Sequence, residues 1–166
     1  MTDIFDSDSG NNSVSLATNL GTLSTSYSIT GLSIHSTSDV DWFKFQTAVA
    51  GETSINVSFL HSNGDLDIKI VDQNFGVVGT SQSESDDESI VFTSNTTDTY
   101  NLQVYGFSAA TNQDYDLSIM PVTSEDSSSN ASDDSNSGGS NDSSSATSSD
   151  STSTNYISEG FSVSYG

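Results

Sequence analysis

Apolar residues recur at every second position through the first two thirds of the chain. "TSINVSFL" alternates through Ile55, Val57 and Phe59, "DLDIKIVD" through Leu66, Ile68 and Ile70, "TYNLQVYGF" through Tyr100, Leu102 and Val104, and "DYDLSIM" through Tyr115, Leu117 and Ile119. A period of two places alternate side chains on opposite faces of an extended backbone, so these stretches predict half-buried strands. "SYSITGLSI", "VDWFKFQT" and "SIVFTS" extend the set to seven or eight short strands. Between them lie "VAGET", "HSNGD", "DQNFG", "SESDDE" and "SNTTDT", rich in the Gly, Asn, Asp and Ser that turns require. No convincing amphipathic helix interrupts the series. The pattern predicts an all-β fold, an antiparallel β-sandwich of the Greek-key or jelly-roll kind, with loops gathered at its ends.

The alternation stops after "YDLSIMPV". Residues 123–154 contain Ser, Thr, Asp, Asn, Gly, Glu and Ala, with no larger apolar side chain. Such a segment has nothing to offset an ordering cost of roughly 1–2 kcal/mol per residue, which predicts a disordered Ser/Asp-rich linker. The expected organisation is a sandwich over 1–122, the linker over 123–154, and a short stretch over 155–166. That last stretch, "NYISEGFSVSYG", alternates again but is too short to bury a face by itself; it reads as a tail or as the start of a second domain. The low hydrophobic content, 31% of 166 residues, fits a chain that is partly without a core.

Charge narrows the range of partners. Twenty-three acidic residues stand against two basic ones, a formal charge of −21. Nucleic acid and anionic membranes are excluded as partners, because both need clustered Lys or Arg, and Lys44 and Lys69 cannot supply a cluster. Cationic partners remain, and the simplest is a metal ion. The absence of cysteine excludes disulfides and zinc–thiolate sites. "MTDIFDSDSG" has neither the basic start nor the apolar run of a signal peptide, and no window approaches the ~18 apolar residues of a membrane span. Export would therefore need a signal upstream or a route without a cleaved one.

Two acidic clusters invite a metal. "DIFDSDSGNNS" offers Asp6, Asp8 and the Asn11/Asn12 pair, and "SDVDWF" offers Asp39 and Asp41. A hard cation such as calcium takes six to eight oxygen ligands, which carboxylates with nearby amide and backbone carbonyls provide. Asp41 is the sharpest case, since it shares a strand face with Phe43 and Phe45 and is carried toward the same buried layer. An unpaired buried carboxylate costs several kcal/mol, and residues 1–122 hold sixteen acids against the two lysines. Either a metal or backbone N–H groups from a neighbouring loop must relieve it. Asp65 and Asp67, in "NGDLDIKIVD", read instead as a turn and edge-strand feature that resists aggregation. On "YNLQVYGF", Tyr105 and Phe107 fall on the outward face, where exposed rings grip a polymer unless a loop covers them. No G-x-S-x-G elbow, H-E-x-x-H or phosphate loop frames His35 or His61 for catalysis, so no active site is expected.

Taken together, "DIFDSDSGNNSVSLATNLG", "DVDWFKF", "GDLDIKI" and "YNLQVYGF" resemble, in order and separation, the bacterial pre-peptidase C-terminal domain over about residues 3–122. That family is similar to the collagen-binding domains of clostridial collagenases. The resemblance implies a β-sandwich with calcium held between the N-terminal segment and the loop before the "DWF" strand, and so Asp6, Asp8, Asp39 and Asp41 as its ligands. The family's first segment usually reads Glu-Pro-Asn-Asp, and "DSDSGN" has neither the Glu nor the Pro. In the collagen-binding relatives, aromatics on the matching strand contact collagen, which falls on Tyr105 and Phe107. The implied function is a noncatalytic, calcium-stabilised accessory module of a secreted bacterial hydrolase, joined covalently to a catalytic or adhesive domain. The alternative is a module that binds collagen or a polysaccharide through Tyr105 and Phe107.

Overall fold

Two sheets pack face to face, each strand turning its alternate apolar residues toward the other sheet. The computed structural model describes residues 3–6 and 10–123. Asp8, the expected linker after its first residue, and the stretch 155–166 lie outside the described residues. One sheet has five strands in the order β1 (Thr18–Leu23), β3 (Val40–Thr47), β8 (Tyr100–Gly106), β5 (Leu66–Val71) and β6 (Val77–Ser81). The other has four, in the order β2 (Tyr27–Ile34), β9 (Asn112–Pro121), β4 (Gly51–Phe59) and β7 (Glu88–Ser94). All pairings are antiparallel except β1 with β3, which is parallel.

The expected alternation sets the core. Phe43 and Phe45 on β3, Ile55 and Val57 on β4, Ile68 and Ile70 on β5, Leu102 and Val104 on β8, and Leu117 and Ile119 on β9 are all fully buried. Burying a side chain of this size contributes roughly 1.5–3 kcal/mol, which is what holds the two layers together without a disulfide.

Among the described residues nine strands form where the alternation marks seven or eight. The unmarked ones, β1 and β6, are the two edges of the five-stranded sheet. "TNLGTL" buries only Leu23 and carries a register shift between Asn19 and Gly21, while "VVGTS" buries nothing fully. An edge strand packs on one side only, so its apolar signal is weak. The edge-strand reading of Asp65 and Asp67 is corrected by the same topology. β5, which carries Asp67, lies between β8 and β6 and is not an edge strand; Asp67 itself stands opposite Tyr105 of β8, and the ladder to β6 begins at Ile68.

A candidate metal centre at one end of the sandwich

Asp41 is the second residue of β3, and the alternation that buries Phe43 buries it too, at 0% exposure. Its Oδ2 accepts a hydrogen bond of 2.5 Å from the hydroxyl of Tyr115 on β9, so this contact joins the two sheets. Its Oδ1 is buried and has no partner. Loss of water raises the Asp41 pKa to about 8, an effect opposed by the Tyr115 hydrogen bond and reinforced by the charges of Asp3, Asp39 and Asp6. Tyr115 is raised well above its ordinary value by the same burial and by Asp41.

Asp39 lies in the loop between β2 and β3, where its own N–H donates to the Ser36 carbonyl at 3.1 Å. Its Oδ2 accepts from the His35 backbone N–H at 2.7 Å, and its Oδ1 is buried without a partner. Asp6 comes from the N-terminal segment; its Oδ2 accepts from the Asp3 N–H at 3.1 Å, and its Oδ1 is also buried and unpartnered. Burial raises the Asp6 pKa, the Asp3 N–H opposes the rise, the charges of Asp3 and Asp39 add to it, and His35 lowers it.

Three anchors hold the N-terminal segment here. Asp3 accepts from Phe5 N–H at 2.7 Å through one oxygen and from Ser33 N–H on β2 at 2.9 Å through the other. Phe5 meets Phe43 edge to face, with ring centroids 5.9 Å apart. Asn11 accepts the Trp42 N–H on its backbone carbonyl at 3.0 Å and donates its side-chain amide to the Trp42 carbonyl at 3.3 Å. The Asn11 Oδ1 is a fourth buried oxygen without a partner.

His35, directly after β2, completes the cluster. Its Nδ1 lies 2.6 Å from Asp39 Oδ2 and 3.0 Å from Asp6 Oδ2. One ligand atom from each of Asp6, His35 and Asp39 lies within 4.8 Å of the others.

The chain handles another buried carboxylate differently. Glu88 is fully buried, yet one of its oxygens accepts from the Ser83 N–H at 2.8 Å and the Ser83 hydroxyl at 2.6 Å, and the other from the Ser81 hydroxyl. No such donors reach the free oxygens of Asp6, Asn11, Asp39 and Asp41. Anionic oxygens left bare in a buried site cost several kcal/mol each, and carboxylate oxygens without protein donors fit a hard divalent cation.

Among the sequence candidates, the structure brings Asp6 and Asp39 into one cluster, and Asp41 lies close enough to feel both charges. Asp3 and His35 join them, and Asn11 ties the same N-terminal segment to β3 at Trp42, next to Asp41. Tyr115 could have been singled out from the sequence, because an inward tyrosine needs a partner for its hydroxyl. His35 shows only as the His-x-x-x-Asp spacing to Asp39, a weak signal in a loop.

Tyr105 is on β8 and Phe107 lies just past its end. β8 ends at Gly106, where a side-chain Cβ would lie 1.8 Å from the Ala110 carbonyl oxygen, and Phe107 begins a tight turn, Phe107–Ala109. The turn breaks the period of two. Tyr105 is half-buried; its hydroxyl accepts from Gln82 at 2.9 Å, and burial together with Asp67 raises its pKa. Phe107 is 55% exposed.

Among the described residues, no helix is long and apolar enough to cross a membrane. Residues 39–106 match the bacterial pre-peptidase C-terminal domain family, a span that includes Asp39, Asp41 and Tyr105 but not Asp6, His35 or Phe107. Among solved structures, the chain is similar to the pre-peptidase C-terminal domain of collagenase from Bacillus anthracis. That likeness has 20% identity and a TM-score of 0.49, covering 62% of this chain and 93% of that one. It is also similar to PliG of Aeromonas hydrophila, a periplasmic inhibitor of g-type lysozyme, at 15% identity and a TM-score of 0.43, covering 63% and 96%. No curated protein matches the chain in sequence.

Proposed function

We propose, from the match of residues 39–106 to the bacterial pre-peptidase C-terminal domain family, that the chain is a noncatalytic accessory module of an exported bacterial hydrolase of the peptidase type. It aids the folding, spacing or targeting of a covalently linked catalytic or adhesive domain. In this reading a calcium ion held by Asp6, Asp39 and Asp41, with Asp8 as a further candidate and Asn11 beside them, fastens the N-terminal segment to the sandwich. The ion supplies positive charge to carboxylates that the two lysines do not neutralise. The observation that carries the reading is the set of buried, unpartnered oxygens on two segments distant in sequence. The Ser/Asp-rich stretch 123–154 serves as the tether to the partner domain.

The test is thermal melting of the full chain in EDTA and in millimolar calcium, since extracellular modules of this kind bind calcium with a Kd of roughly 10⁻⁴–10⁻³ M. An upward shift that Asp41→Asn removes supports the reading; an unchanged melting temperature overturns it.

A second reading, contact with collagen or a polysaccharide, is favoured by the exposure of Phe107. Tyr105 contributes less to such a surface, because its hydroxyl is already engaged by Gln82. Retention on insoluble collagen and chitin, compared between the wild type and Phe107→Ala, tests it. Equal retention of the two proteins rejects it.

A further inference from the structure

The oxygen-rich cluster contains one donor that a calcium site does not require. His35 Nδ1 sits 2.6 Å and 3.0 Å from carboxylate oxygens of Asp39 and Asp6, within ion-pair distance of both, and it is buried without a hydrogen-bond partner. An imidazole that merely oriented a carboxylate would point an N–H at it. The His35 backbone N–H already performs that task for Asp39 Oδ2, and the ring nitrogen stands beside carboxylate oxygens of both Asp39 and Asp6.

A second observation singles out the same place. Asp39 and Asp41 are more than nine-tenths buried, and each leaves one oxygen without a partner beside this nitrogen's cluster. The donor set is therefore mixed. Hard cations prefer oxygen alone, whereas imidazole nitrogen together with carboxylate oxygen suits zinc and its first-row neighbours, which bind such sites more tightly than their purely ionic counterparts.

We propose that His35 Nδ1 is a metal ligand and that, with Asp6 and Asp39, it lets this site take a borderline transition-metal dication of the zinc class in competition with calcium. The proposal rests on the reading of this cluster as a metal centre and adds the nitrogen ligand and the ion class.

The full chain, stripped with EDTA, is titrated with Zn²⁺, Co²⁺ and Ca²⁺ by calorimetry, in the wild type, His35→Ala and, as a control for adventitious histidine binding, His61→Ala. The expected result is a loss of Zn²⁺ affinity in His35→Ala of at least about tenfold, the least that disturbing a ligand's support costs, with calcium affinity nearly unchanged and His61→Ala like the wild type. Nitrogen-detected NMR of the imidazole provides an independent readout: Zn²⁺ should shift the Nδ1 resonance of His35, and Co²⁺ should give visible bands absent from the variant. Equal Zn²⁺ affinity in the wild type and His35→Ala overturns the proposal while leaving the calcium reading intact. Loss of zinc and calcium binding together in His35→Ala also overturns it, because the ring would then act on the carboxylates and not on the ion. If no ion binds the wild type, both this proposal and the calcium reading fall.

Discussion

Replacing Asp41 by Asn keeps the shape of the side chain and the acceptor for Tyr115 but removes a charge from a fully buried site. The size of the effect follows from the shift of the carboxyl from 3.8 to about 8. Between those values the folded protein holds a proton that the unfolded chain has released, so metal-free stability falls as pH rises through this window. At about 1.4 kcal/mol per unit, the loss reaches roughly 4 kcal/mol by pH 7 and roughly 5–6 kcal/mol by pH 8, against a total stability of about 5–15 kcal/mol for an ordinary domain. Burial also raises Asp6 and Asp67, so they tilt the curve the same way, and the difference between wild type and variant isolates the share of Asp41. Urea denaturation in EDTA at pH 5, 7 and 8 measures it. The wild type should weaken steadily over this range, and Asp41→Asn should be the more stable protein at pH 8 by several kcal/mol while responding weakly to calcium. A wild type that gains stability from pH 5 to pH 8, or an Asn variant that is the weaker protein at pH 8 in EDTA, refutes the reasoning.

Three further outcomes follow from other parts of the structure. Tyr115→Phe removes the donor to Asp41 Oδ2 and leaves both oxygens of a buried carboxyl bare, which should cost about 1–3 kcal/mol in chemical denaturation without calcium; no measurable loss would show that the cross-sheet bond contributes nothing. Gly106→Ala drives a methyl into the Ala110 carbonyl and should lower stability by about 1–3 kcal/mol, read as a fall in the denaturation midpoint. Phe107→Ala, at a half-exposed turn position, should change stability by less than about 0.5 kcal/mol, so any loss of polymer retention in that variant reports on contact and not on folding.

Much of the fold is legible in the sequence because a two-sided sandwich imposes a period of two on every strand that faces the other sheet. β3, β4, β7 and β9 show it plainly. β1 and β6 escape because an edge strand needs few apolar residues. The place of Phe107 escapes for a different reason: the chain turns at Gly106 so tightly that the Ala110 carbonyl lies where a side-chain Cβ would be, a turn contact that no pattern on β8 announces. Asp41 was legible from its face, since Phe43 and Phe45 fix which way it points. His35 was not, because a loop has no period, and its approach to Asp6 depends on where Asp3 and Phe5 dock the N-terminal segment. The local sequence names the acids; the meeting of two segments distant along the chain selects among them.

The most direct measurement is high-resolution diffraction from crystals grown with calcium. The account predicts a strong peak within ligand distance of Asp6, Asp39 and Asp41, with carboxylate oxygens turned toward it. Density for water alone among those three side chains, at saturating calcium, would contradict it.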